Sequence, residues 1–191
     1  MLSLVYDTET TGVYNWRLPP LDPSQPDVLQ LCAMLCDEER IYTQVNVYVH
    51  GDTEIPQGAF DVHRIDRDMT ARVGISRLRL CNLFASLVLK ADVLVGHNED
   101  FDNGVMRTAM LREGGNGKLL NKPRYCTMKR STEICKLPSA NPKHADTFKW
   151  PSLLEAYKIL VDPRGFEGAH DAYADVKATY EVYRVLRKQS L

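Results

Sequence analysis

Leu2-Ser3-Leu4-Val5-Tyr6-Asp7-Thr8-Glu9-Thr10-Thr11-Gly12 begins as an apolar run and ends in two carboxylates and a turn. Leu2–Tyr6 reads as a first β-strand. Side chains on a strand alternate faces, so Asp7 and Glu9 project from the same side. Two acids held about 7 Å apart at Cβ repel unless something cationic lies between them. A hard divalent cation with oxygen ligands, such as Mg²⁺ or Mn²⁺, fits that gap. A lone pair of this kind is commonly a solvated strand end, so the reading turns on acids elsewhere in the chain.

Outward from this strand the pattern alternates between loops, strands and helices. Val13–Asp27 is loop-like, with Pro19, Pro20, Pro23 and Pro26 and two exposed-looking aromatics, Tyr14 and Trp16. These rings could stack bases or pin the loop, and pinning is favoured. Val28–Cys36 is a continuous apolar run suited to a central strand. Ile41–Val49 alternates, with Ile41, Thr43, Val45, Val47 and Val49 on one face, and Asp37-Glu38-Glu39 makes the turn before it. Three strands therefore precede any strong helix, as an antiparallel meander. Ile75–Lys90 has helical spacing at Leu78, Leu83 and Leu87. Asp92–Gly96 is then a short buried strand, and Phe101–Arg112 a helix ended by Gly114, Gly115 and Gly117. Cys126–Leu137 is a further helix and Ser139–Lys149 a loop. Pro151 suits the first turn of a helix opening at Trp150-Pro151-Ser152-Leu153. The last helix runs from Asp171 to Lys188, with an apolar stripe at Ala172, Val176, Thr179, Tyr183 and Leu186. The expected fold class is α/β, a mixed sheet with helices packed on it, in one domain over residues 1–191.

The decisive acids lie in two further segments. Asp102 follows His97-Asn98-Glu99-Asp100-Phe101, and His170 stands five residues before Asp175 in His170-Asp171-Ala172-Tyr173-Ala174-Asp175. Asp7–Gly12 resembles the first motif of the DnaQ-like, or DEDDh, 3′–5′ exonucleases. His97-Asn98-x-x-Phe101-Asp102 resembles their second, and His170 through Asp175 their third. A sister class places a Tyr one residue closer to the Asp; here that position is Asp171, which excludes it. The motifs occur in the family's order and span nearly the whole chain.

The resemblance implies the ribonuclease H-like fold and a two-metal phosphodiester hydrolysis with Mg²⁺ or Mn²⁺. Asp7 would bridge both ions, Glu9 and Asp175 would complete the first site, and Asp102 would support the second. His170 would be the general base, since an imidazole with an unperturbed pKa near ~6.5 can take a proton from water at neutral pH. Gly165 and Gly168 favour placing it on a loop at the helix entrance. The backbone of Thr8 and the Thr11-Gly12 turn would contact the terminal sugar. His63, in Val62-His63-Arg64-Ile65, resembles a segment near the substrate's 3′ terminus, with Arg64 in place of the usual Gly. Gln30 stands where the family often has an acid, and it is read as touching no catalytic motif. His50 and His144 are read as surface residues.

Composition sets the remaining bounds. The 191 residues suit one domain, and no apolar run is long enough for a membrane span or a signal-peptide core. Five cysteines with no C-x-x-C pair argue against disulfides and structural zinc, so a reducing, cytoplasmic setting is expected. The net charge of −1 argues against indiscriminate coating of nucleic acid. Lys118–Lys149 nevertheless holds eight Lys or Arg against Glu133 and Asp146, which could form a phosphate-facing flank. The expected function is release of 5′-mononucleotides from the 3′ end of single-stranded DNA. A polymerase or other replication protein could be a partner in trans, and no membrane partner is expected. An RNA 3′ exonuclease of the same fold is the main alternative. A non-catalytic nucleic-acid or polymerase-binding module conflicts with five intact key side chains. An HD-type phosphohydrolase, prompted by His170-Asp171, lacks a supporting histidine pattern.

Overall fold

The computed structural model describes residues 1–139 and 147–189. A six-stranded mixed sheet forms its centre, in the order β4-β3-β2-β1-β5-β6. The meander is β1 (Ser3–Thr10), β2 (Val28–Cys36) and β3 (Ile41–His50), antiparallel throughout. On the far side of β1 lie β5 (Val93–Gly96) and β6 (Arg124–Cys126), both parallel to it in the sheet's sense. The two-residue β4 (Ile75–Ser76) extends the other edge, parallel to β3. The expected mixed α/β architecture is the one found.

Alternation along β1 distributes its side chains between two cores. Leu4 and Tyr6 join Leu31, Phe84 and Met106 on the face covered by α3 (Arg77–Lys90) and α4 (Glu99–Arg112). Val5 joins Met34, Val95, Val176 and Tyr183 on the opposite face, under α7 (Ala172–Gln189). Burial of each such Leu, Phe or Met side chain contributes roughly 1.5–3 kcal/mol. All five members of the α7 stripe read from the sequence are buried. On α7's outer side, α6 (Leu153–Leu160) packs Ala156 against Val182 and Leu186. The helix α5 (Thr127–Cys135) follows β6 directly.

Several local expectations need correction. Two helices, α1 (Gln57–His63) and α2 (Arg67–Val73), occupy a stretch that shows no strong apolar period; α1 buries none of its residues and α2 only Thr70. The helix expected from Ile75 begins at Arg77, because Ile75 and Ser76 pair with β3 and Ser76 caps the helix. Its core face is Leu80, Cys81, Phe84, Leu87 and Val88, whereas Leu78 is 49% exposed. Pro151 precedes the α6 cap instead of occupying the first turn: Ser152 is the N-cap, in a reciprocal capping box with Glu155. Of the expected Ser139–Lys149 loop, residues 140–146, including His144, lie outside the described residues.

The Pro-rich loop is ordered by buried polar contacts. Gln25, 3% exposed, binds the Asn15 backbone on both sides, and Arg112 donates to the Asp22 and Gln25 carbonyls. Tyr14 is buried, its hydroxyl 3.3 Å from Thr108 Oγ1, and its ring lies on Gly104, where a Cβ would come within 3.2 Å. Tyr14 therefore pins the loop, as expected. Trp16 packs on Tyr14 with ring centroids 4.6 Å apart and planes inclined at 51°, but stays 63% exposed.

Candidate active site

Asp7 and Glu9 follow Val5 on the face of β1 that α7 covers, since strand positions two apart share a face. Asp175 enters from the first turn of α7. Asp7, Glu9 and Asp175 each offer a carboxylate oxygen, and these oxygens all lie within 4.8 Å of one another. Among the described residues, no Lys or Arg forms an ion pair with any of the three.

Asp102 reaches the same place from the other side of the sheet. β5 pairs with β1 only through Ser3, Leu4 and Val5, so β1 runs past its neighbour and opens a gap beside Thr8. In that gap the Thr8 N–H and hydroxyl donate to Asp102 Oδ1 at 2.9 and 2.7 Å. Asp102 is 2% exposed and sits in the first turn of α4. Its neighbours in the motif are otherwise committed. Glu99 accepts from Tyr6 Oη and Asn103 Nδ2, while Asp100 pairs with Arg124 and Lys129. Those pairs also tie Arg124 and Lys129 of the basic segment to an acid beside the site.

The carboxylates at this site disfavour one another's ionised forms. Burial, then the fields of Asp102, Asp175 and Glu9, raises the Asp7 carboxyl well above the ordinary range. Burial and the neighbouring acids push Glu9 up to about 8. Burial pushes Asp102 up to about 7 against the opposing pull of the Thr8 bonds, and Asp175 up to about 6. Clustered, partly to fully buried carboxylates whose charged forms are all disfavoured have the chemistry of an oxygen donor set for a hard cation.

His170 is exposed on the turn before α7, at φ 69°, and its backbone N–H donates to Asp175 Oδ2 at 3.1 Å. Gly168 precedes it at φ 81°. Burial, and to a lesser degree the nearby His170 imidazole, lowers the His63 pKa, and the same imidazole offsets part of the rise that burial causes at Asp175. His63 itself is locked: Nδ1 accepts from Ile65 N–H at 3.0 Å, so Nε2 carries the proton toward the Thr10 carbonyl at 3.2 Å. Thr11 exchanges backbone and hydroxyl bonds with Asp27, and Gly12 stands open at the strand exit. Arg64 caps α1 in the left-handed region at φ 60°, a conformation that favours glycine.

Two residues take parts that the sequence did not give them. His97 begins the second motif but is structural: it bridges Thr127 Oγ1 at 2.9 Å and the Pro151 carbonyl at 3.0 Å, and burial pushes its pKa down to about 4. The reading that Gln30 touches no catalytic motif is overturned. Gln30 lies opposite Glu9 in the β1–β2 register and donates to Asp171 Oδ2 in the third motif at 3.2 Å. No local signal reveals this, because the contact joins residues 141 apart.

The family model described as Exonuclease (RNase_T) matches residues 4–183. No curated protein matches the chain in sequence. Similar solved structures include E. coli exonuclease I in complex with a dT13 oligonucleotide, at 20% identity over 99% of this chain and 41% of that one, with a TM-score of 0.77. A zinc-ion-bound form of an E. coli ExoI–ssDNA complex gives 18%, 98%, 40% and 0.74. A moderately thermophilic exonuclease I from Methylocaldum szegediense gives 20%, 98%, 40% and 0.72. The chain thus spans 40–41% of the length of these structures, and the likeness is one of fold, ribonuclease H-like in arrangement.

Proposed function

The chain belongs to the exonuclease family matched over residues 4–183, and on that premise we propose that it is a divalent-metal-dependent 3′–5′ exonuclease acting on single-stranded DNA. The observation that carries the proposal is the convergence of Asp7, Glu9 and Asp175 oxygens within 4.8 Å, beside a buried Asp102. The DNA preference is supported by the oligonucleotide-bound exonuclease I relatives.

Mg²⁺ or Mn²⁺, when bound, would lower the pKa of water and neutralise charge on the phosphate and the leaving oxygen. Asp7, Glu9 and Asp175 would hold the ions, and Asp102 would supply the remaining carboxylate. The two Thr8 bonds fix Asp102 in orientation, and preorientation of this kind is where binding geometry turns into rate. His170 would act as general base, taking a proton from the water that attacks phosphorus as the 3′ oxygen departs. Its exposed turn beside Asp175 gives it access to that water. Thr11 and Gly12 line the strand exit where the terminal sugar would lie. His63 would shape that exit by holding the Thr10 carbonyl rather than by offering a free ring nitrogen.

The test is a digestion of 5′-labelled single-stranded DNA and of RNA with the same sequence, with Mn²⁺ and with EDTA. A ladder shortening from the 3′ end of DNA, absent in EDTA, is the expected result. Cleavage of a circular single strand would contradict end-dependent action. RNA cut in preference to DNA would transfer the substrate to the alternative reading.

A further inference from the structure

We propose that Gln30 is a positioning residue for the hydrolytic centre, fixing the first turn of α7, and with it Asp175 and the His170 turn, against the sheet. This rests on the function proposed above. Gln30 is 1% exposed, and its side chain shares a face with its cross-strand partner Glu9. Its amide nitrogen lies 3.2 Å from Asp171 Oδ2 and 2.9 Å from Asn46 Oδ1 on β3. A carboxylate only accepts hydrogen bonds, so the nitrogen must face Asp171, and the two contacts use both amide protons.

Asp171 is the cap of α7. Its Oδ1 accepts from the backbone N–H groups of Tyr173 and Ala174, each at 3.1 Å, and its carbonyl accepts from Asp175 N–H at 3.0 Å. One continuous chain of bonds therefore runs from β3 through Asn46, Gln30 and Asp171 to the backbone of Asp175. A carboxylate at position 30 would face the Asp171 carboxylate and stand beside Glu9. An apolar side chain would leave Asp171 Oδ2 without a partner. A neutral side chain with two donors suits both neighbours.

Four proteins separate a positioning role from a buried polar residue that is merely satisfied: wild type, Gln30→Glu, Asp171→Asn, and the double variant. In the double variant the introduced carboxylate accepts from the introduced amide, the amide oxygen keeps the cap, and Asn46 turns to donate. The readouts are kcat and KM on an oligothymidylate and the Mn²⁺ concentration giving half the rise in Tm. Gln30→Glu is expected to lose about ten- to a hundredfold in kcat, the order of effect of a small misplacement, and to need more Mn²⁺, whereas Asp171→Asn loses less because the Gln30 and Asn46 amides can turn to match it. KM should change little, and the double variant should recover both readouts. A Gln30→Glu protein with wild-type kcat and Mn²⁺ response would overturn the proposal. So would a double variant that regains Tm but not kcat or Mn²⁺ response. A wild type without nuclease activity would refute the proposed function instead, and the Mn²⁺ titration would still read positioning.

Discussion

His170 and Gly168 both lie at positive φ, and the histidine occupies a region that side chains other than Asn, Asp and His rarely adopt. Such strain persists where the surroundings enforce it, here the bond from its own N–H to Asp175. Replacing His170 by Ala should lower kcat about 10²- to 10⁴-fold, the range for loss of a general base, while the metal-induced rise in Tm survives. His170→Gly should lose the same activity but melt at or above wild type, because glycine adopts this φ without strain. Equal turnover in both variants and wild type would move the base elsewhere. At this scale the convergence of Asp7, Glu9 and Asp175 beside Asp102 is legible, since each sits at a motif spacing. Gln30 is not, because its partner is set by strand register and by the approach of a distant helix. The motif suggests a sugar contact for the Thr8 backbone, whereas its N–H and hydroxyl orient Asp102.

The long elements were legible for a simple reason: a nine-residue apolar strand and an eighteen-residue helix with a buried stripe repeat their period several times. The short ones were not. A two-residue β4 and a three-residue β6 exist because neighbouring strands pair with them, and the seven-residue α1 and α2 bury almost nothing, so no local apolar pattern encodes any of the four. The stop of β5 at Gly96 is where the sequence reading ends that strand, and it makes the gap through which Asp102 reaches Thr8. The Pro-rich loop carries its own prediction. With Tyr14 buried, Trp16 is the ring left to meet a base, in a groove of about 600 Å³ that also includes Asn103, Lys122 and Arg124. Trp16→Ala should weaken oligonucleotide binding by about 1–3 kcal/mol, the value of one stacked base, with kcat at saturation unchanged. Fluorescence anisotropy of a labelled oligonucleotide measures this, and an unchanged Kd would confine Trp16 to packing on Tyr14.

At the scale of the whole molecule, folding gathers acids that the unfolded chain keeps apart, and stability must depend on both pH and metal. Glu9, Asp102 and Asp175 are pushed up to about 8, 7 and 6 in the folded protein. Unfolded carboxylates titrate near ~4, so between about pH 4 and pH 8 the folded metal-free state binds more protons than the unfolded one. Its stability therefore falls as pH rises through that window, and the penalty is absent below it. In EDTA the Tm should be higher near about pH 5.5 than near about pH 8, and Mn²⁺ should raise it more at the higher pH, where it binds the ionised acids. A metal-free Tm that climbs across the window would oppose this account.

On the proposed function, the role of Asp7 in this fold is to hold a cation and not to stabilise the fold itself. It is tested most directly by thermal melts of wild type and Asp7→Asn in EDTA and in Mn²⁺, beside a nuclease assay of both. Removing one of the mutually repelling carboxylates should leave the metal-free variant as stable as wild type or more so, with little gain from Mn²⁺ and almost no activity. An Asp7→Asn protein that melts far below wild type in EDTA, or that keeps both its Mn²⁺ response and its nuclease activity, would contradict it.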